Sequence, residues 1–246
     1  FYLFKKVCYN YFYEVIKMEL IKINRQFGEN TKHYIYRVLK MNIMTLNIKP
    51  GTGISEADIR EFLKVSRTPI RESIVRLSEE RLMDVYPQKG SFVSLIDLKI
   101  VEEAYFMRKI LEKEVLKLAT KNFSEAAIKE LEKNLKFQNI ISQIEEDHSE
   151  LFFLDNEFHK IIYKEVQKEK VWESIQSLST HYDRVRFLDA IEKTNLIPTL
   201  EQHKTIIDII KNKEIDKVDE MIDLHLSNFK NKIDYLIEKH PDYFKI

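Results

Sequence analysis

Arg67, Thr68 and Arg71 place three hydrogen-bond donors within about one helical turn, directly after Ser66 and around Pro69. Ser is a favoured helix cap, and Pro at an early helical position loses nothing through its missing N–H. The spacing therefore predicts a helix that opens just after Ser66, with Ile70, Ile74, Val75 and Leu77 as its apolar face. Arg67 and Arg71 are four residues apart and share the opposite face. Donors on the first turn of a helix that enters a DNA major groove can reach base edges and flanking phosphates. A bidentate Arg–guanine contact there gives about 1–3 kcal/mol of discrimination. A solvated basic helix face would carry the same residues.

A second group has metal-ligand chemistry. Asp155 and His159 are also four apart, so a carboxylate and an imidazole project from one face of a helix. That spacing suits two ligands of one ion, although surface helices also carry Asp-x-x-x-His without one. His203 precedes Ile206 and Ile207, and His225 stands among Met221, Ile222, Leu224 and Leu226. An imidazole in such apolar surroundings needs a polar partner. His148 and His181 show no comparable pattern and are expected at the surface.

Periodicity supplies the elements that must position these residues. Residues 32–47 set Ile35, Val38, Leu39, Ile43 and Leu46 at helical spacing, and the pattern stops before Lys49-Pro50-Gly51. Ser55, with Asp58 three positions on, opens a short helix through Leu63, and Val65-Ser66 breaks it. Residues 82–86 and 91–95 read as a β-hairpin around Pro87-Gln88-Lys89-Gly90, with Lys89 at its tip in reach of a DNA backbone or minor groove. Three short helices and a hairpin in so few residues make a compact winged module. From Asp97 onward the chain predicts helices at 98–121, 124–146, 149–166, 168–191, 197–212 and 214–238 and no strand, hence an antiparallel bundle. The expected fold is mainly α: an extension at 1–30, a winged helix-turn-helix at 31–96 and an all-helical domain at 97–240.

Composition narrows the classes further. The 246 residues are 44% hydrophobic, enough for a substantial core, and carry only 4 Gly and 5 Pro. The single cysteine, Cys8, excludes an internal disulfide framework and fits a reducing cytoplasm. Charged residues interrupt every apolar run, so no membrane-spanning helix is expected. Residues 1–17 lack the apolar core and cleavage site of a signal peptide, and Met18 is the expected natural start. Net charge is zero but uneven: residues 31–94 carry 11 Lys and Arg against 7 Asp and Glu, while residues 95–246 carry 24 against 30. A basic first module on an acidic body suits a phosphate-binding head.

From Tyr34 to Val93 the chain resembles the GntR family of bacterial regulators. The resemblance rests on Ile48-Lys49-Pro50-Gly51, Ser55-Glu56, the stretch Val65-Ser66-Arg67-Thr68-Pro69-Ile70-Arg71-Glu72, Leu77 with Glu80, and the Pro87 to Val93 wing. It implies that Arg67, Thr68, Arg71, Lys89 and Gly90 contact double-stranded operator DNA. One departure is Ile59-Arg60, where the family commonly has Leu-Ala, which puts a charge at a position that usually packs.

Residues 101–229 look like the FCD ligand-binding domain of the FadR-type branch of that family. The markers are Arg108 with Glu112, Asp155-Asn156-Glu157-Phe158-His159, Glu201-Gln202-His203 and His225-Leu226. The resemblance implies Asp155, His159, His203 and His225 as ligands of a divalent cation: zinc, nickel, iron or manganese. Positions left open on an octahedral ion would take a small organic acid, held also by Arg108 and, as a second candidate, Arg184. Arg108 has a structural alternative, an ion pair with Glu112 one turn away. The family implies a homodimer, which suits a palindromic operator, and no enzymatic activity. Two other readings of the helical half are a metal-dependent hydrolase and a dimerisation device without an effector.

Overall fold

The computed structural model describes residues 20–143, 149–192, 197–227 and 230–245; the expected start at Met18, Cys8 and His148 lie outside the described residues. The head contains α1 (Thr31–Met44), α2 (Glu56–Leu63) and α3 (Arg67–Glu79). Asn30 and Ser55 cap the first two by accepting the backbone N–H of His33 and Ala57. Ser66 occupies the cap position of α3, but its hydroxyl makes no cap bond. Ile35, Val38, Leu39, Ile43, Ile59, Ile70, Ile74 and Leu77 form the buried centre of the head. Two expectations shift. Val75 is exposed on the outer face of α3. Leu46 lies beyond α1 with positive φ and packs into the other core, under the helical bundle.

The hairpin of β2 (Met83–Tyr86) and β3 (Gly90–Val93) is antiparallel, with Tyr86 opposite Gly90. A third strand that the sequence did not announce, β1 (Gly53–Ile54), pairs with β3 and gives the order β1-β3-β2. Gly90 closes the turn at φ +113°, a conformation that favours glycine. Residues 20–30, expected as an extension, are fastened to the head over their described length. Asn42 accepts the Ile21 N–H and donates to the Ile21 carbonyl, and Arg37 grips Glu29 with two nitrogens.

The remaining helices are α4 (Leu98–Lys121), α5 (Glu125–Ser142), α6 (Ser149–Glu165), α7 (Glu169–Leu178), α8 (Thr180–Ile191), α9 (Ile197–Asn212), α10 (Val218–Ser227) and α11 (Lys230–Lys239). One core cluster runs through them, with Leu116, Leu131, Phe158, Ile175, Val185, Ile206 and Ile222 among its members. The expected helix at 168–191 is two helices. At the break Ser179 leaves helical geometry at φ −92° and ψ 17°, and the Thr180 hydroxyl turns to Glu80 O on the head. The expected helix at 214–238 begins instead as a 3-10 turn at Ile215–Lys217 followed by α10 and α11. A parallel pair was also unforeseen: β4 (Ile96–Asp97), between head and bundle, bonds to β5 (Phe244–Lys245) near the C-terminus. Ile96 and Phe244 are both buried, so this pair straps the end of the chain across the linker.

Candidate DNA-contact face and metal centre

On the head, Arg67, Thr68 and Arg71 are exposed on the opening turn of α3, while Ile70 and Ile74 point into the core. Arg71 Nε lies 2.9 Å and 3.0 Å from the two carboxylate oxygens of Glu56 on α2. This pair is two-thirds exposed on the Arg71 side, so it orients the guanidinium at little energetic cost to releasing it. Lys89 and Gly90 stand exposed at the wing tip, where Lys89 N–H closes the turn on Tyr86 O. Arg60 is exposed, and the neighbouring Ile59 supplies the packing of α2, so the departure from the family pattern costs the core nothing.

Within the bundle, three helices bring four ligand atoms together. Asp155 and His159 come from α6, His203 from α9 and His225 from α10, and one ligand atom of each lies within 4.8 Å of the others. His203 Nε2 is 3.2 Å from Asp155 Oδ1, His159 Nε2 is 3.9 Å from Asp155 Oδ2, and His225 Nε2 is 3.2 Å from His159 Nε2. All three imidazoles are buried. His203 stacks on Phe158 with ring centroids 4.2 Å apart, and His159 lies nearly parallel to Trp172.

The far nitrogens of the three rings decide which nitrogens face inward. His203 Nδ1 meets Gln138 Oε1 at 2.8 Å; Gln138 donates to Asn134 Oδ1 at 2.6 Å, and Asn134 donates to Leu154 O at 3.0 Å. This relay fixes the amide orientations and makes Nδ1 of His203 the protonated nitrogen. His225 Nδ1 meets Gln202 Oε1 at 3.1 Å, and His159 Nδ1 lies 3.2 Å from Glu112 Oε2. With the outer nitrogens as the donors, each Nε2 turns a lone pair toward the others and toward a carboxylate. Lone pairs at such separations repel, and His203 Nε2 is buried without a hydrogen-bond partner. Three buried imidazoles and a carboxylate in this arrangement fit a divalent cation, whose ligands at about 2.1 Å lie roughly 3–4 Å from one another.

Electrostatics favour the ligating forms of Asp155, His203 and His225. Burial lowers the His203 pKa; burial together with His203 and His159 holds that of His225 well below the usual imidazole value. Burial would raise the Asp155 carboxyl, but the charge of Arg186 and the contacts with His203 and His159 outweigh it and keep the group ionised. Arg186 was not among the residues picked from sequence. It bonds Asp155 Oδ2, Asp183 Oδ1 and Asn156 Oδ1, so Asp155 keeps Oδ1 for the cluster. The signal that could have found it is helical spacing: Arg186 lies on the same face of α8 as Tyr182 and Asp183.

A cavity of about 100 Å3 adjoins the cluster, lined among others by Arg108, Asp155, Tyr182, Arg186, Thr199 and His225. Arg108 realises its structural alternative, donating from Nε to Glu112 at 2.6 Å, yet its buried Nη1 has no hydrogen-bond partner. The expectation for Arg184 is corrected: it is not among the residues lining this cavity, and is fully buried at the junction with the head, bonded to Ser94 and His181. It stands two residues from Arg186, about 200° around the helix, and so faces the other way. His181, expected at the surface, is buried at the same junction.

Comparisons with known proteins agree with this division. Residues 31–93 match the bacterial regulatory proteins of the gntR family, and residues 103–228 match the FCD domain. The chain is 30% identical over 200 residues, 80% of this chain and 86% of the relative, to the HTH-type transcriptional repressor RspR of Escherichia coli (strain K12). It is 26% identical over 196 residues, 77% of this chain and 79% of the relative, to the gluconate operon transcriptional repressor of Bacillus subtilis (strain 168). In fold it is similar to E. coli McbR/YncC, with a TM-score of 0.71 at 20% identity, covering 86% of this chain and 99% of that one. The two sequence relatives are transcriptional repressors, not enzymes.

Proposed function

Because the chain belongs to the GntR family of DNA-binding transcriptional regulators and carries an FCD domain, we propose that its bundle binds a divalent metal ion and a small carboxylate that together adjust operator affinity. The observation that carries this reading is the convergence of a carboxylate oxygen of Asp155 with ring nitrogens of His159, His203 and His225. A divalent ion there would supply positive charge and open coordination positions to an anion, and the donor set suits zinc, nickel, iron or manganese. Arg108 offers the unpaired Nη1 to the same cavity, Arg186 stands on its wall, and Tyr182 and Thr199 add hydroxyls. A cavity of about 100 Å3 suits a small effector.

On the head, Arg67, Thr68 and Arg71 enter the major groove, and Lys89 and Gly90 follow the adjacent backbone. Two copies of the chain would present two heads to a symmetric operator. Support for a dimer comes from Phe106 and Ile110, one turn apart on α4 and 64% and 48% exposed, apolar surface that a second copy can cover. Such a regulator acts in the cytoplasm, and no helix among the described residues is long and apolar enough to cross a membrane. The hydrolase alternative is set aside because the family is one of regulators.

Elemental analysis of the purified protein, joined to thermal-shift screening against small carboxylic acids, tests the proposal. The expected result is about one metal ion per chain and a rise in Tm with one acid that a chelator abolishes. A protein free of metal after purification that also fails to take up zinc, nickel, iron or manganese would remove the metal from the reading. Unchanged operator binding on adding a stabilising acid would remove the effector.

A further inference from the structure

Helix α8 has two working faces. Tyr182 and Arg186 line the cavity, with Arg186 on Asp155. Thr180, His181 and Arg184 face the head instead. Thr180 Oγ1 donates to Glu80 O at 3.1 Å, His181 Nε2 to Arg81 O at 2.9 Å, and Arg184 Nη1 to Ser94 O at 2.7 Å. Glu80 and Arg81 lie in the three-residue joint between α3 and β2, and Ser94 directly follows β3. The three bonds therefore hold both ends of the wing. His181 Nδ1 also accepts the Asp97 N–H at 2.9 Å, which fixes the linker at the same point. Within the head, the Glu80 carboxylate receives Tyr36 and Lys40 of α1, each at 2.6 Å, so the seam continues into the scaffold that carries α3.

The seam is also poised to rearrange. Arg184 is fully buried, but its partners are neutral: the Ser94 carbonyl and hydroxyl and the His181 ring. Its Nε has no hydrogen-bond partner among the described residues, and burial works against its charge, opposed by the carboxylate of Asp84. A buried cation on neutral acceptors is costly and stabilises little by itself; one established use of such groups is to specify one arrangement over another.

We propose that α8 transmits the state of the bundle cavity to the DNA-binding wing, with Thr180, His181 and Arg184 as positioning residues that hold the wing against α3. The proposal rests on the reading of that cavity as the regulatory site. A change at Arg186 alters how α8 lies, and because Arg184 is on the same rigid turn, the bonds to Glu80, Arg81 and Ser94 move with it.

Hydrogen exchange on the full-length protein without added metal provides the test, read at the amides of Leu82 and Ser94, which bond Leu77 O and Leu82 O. Thr180→Val and Arg184→Met are each expected to raise exchange there about fivefold. Arg186→Gln, made at the cavity end, is expected to change the same amides in the parent and to have no further effect in the Thr180→Val/Arg184→Met background. Purely structural bonds would give additive changes. Zinc or nickel ions alone should shift affinity for an operator fragment about 5- to 150-fold in the parent, and not in the double variant. Additive effects, or a silent Arg186→Gln in the parent, would overturn the proposal; Thr180→Val alone carries the cycle if Arg184→Met fails to fold. If the parent binds no metal but the exchange cycle is non-additive, the metal reading falls and the role of α8 stands.

Discussion

Gln138 touches no ligand-facing atom, yet it selects the nitrogen that His203 presents to the centre, through the relay to Asn134 and Leu154 O. Partners of this kind typically carry about 10–100-fold of metal affinity. Gln138→Leu is therefore expected to weaken binding of zinc or nickel by about that factor in a chelator competition, and His203→Ala by more. Equal affinity in Gln138→Leu and the parent would show that the ring needs no outside partner. On the head, Arg67 and Arg71 are exposed, and their loss leaves no hole. Arg67→Ala and Arg71→Ala should each weaken operator binding by about 1–3 kcal/mol with the melting temperature unchanged. A variant that lost a phosphate contact would also lower the salt slope by about one, whereas one that lost a base contact would relax sequence preference at a single position. Binding that survives both substitutions would place the reading surface elsewhere.

At the scale of elements, the buried seam makes stability depend on pH through His181. Burial, and then the nearby Arg184, push its pKa down from 6.5 to about 3. Between those values the unfolded chain holds a proton that the folded chain does not, so this group costs stability as pH falls from about 6.5 toward 3 and is without effect above 6.5. At pH 5 the loss is about 2 kcal/mol. Urea unfolding at pH 7 and pH 5 should show that loss in the parent and a smaller one in His181→Gln. The difference between the two proteins separates His181 from His203 and His225, which burial also depresses. Equal losses would mean that His181 is protonated without breaking the seam. That seam was invisible in the sequence for a reason that also explains what was visible. Helical periodicity and capping residues are local, so α4 and α9 were readable to their ends, and the four ligands followed from family motifs. Thr180, which opens the second of the two helices found where one was expected and bonds Glu80 O on the head, and β5, which pairs with a strand some 150 residues earlier in the chain, depend on partners distant in sequence. Arg184 and Arg186 were both readable as cations on one helix, but which faced the cavity depended on where the head docks.

Over the whole molecule, the question is whether head and bundle unfold as one unit. The three bonds from α8 and the β4–β5 pair join them, and β5 brings the C-terminal strand onto the linker itself. The only tryptophan, Trp172, packs beside His159 and Tyr163, so its fluorescence follows the bundle, while helical circular dichroism follows both parts. A ligand that binds only the folded chain, present at about 100 times its Kd, stabilises by about 2.7 kcal/mol. For a chain of this size that is a Tm shift of roughly 5–10 °C. Stripping the metal with a chelator should therefore lower the fluorescence and dichroism midpoints by the same amount, because loss of the centre in the bundle destabilises a head that cannot melt alone. Two separated dichroism transitions, with only the one matching Trp172 responding to chelator, would show instead that the seam is too weak to make one unit. In that case the cavity could reach the wing only through the linker at Ile96–Asp97.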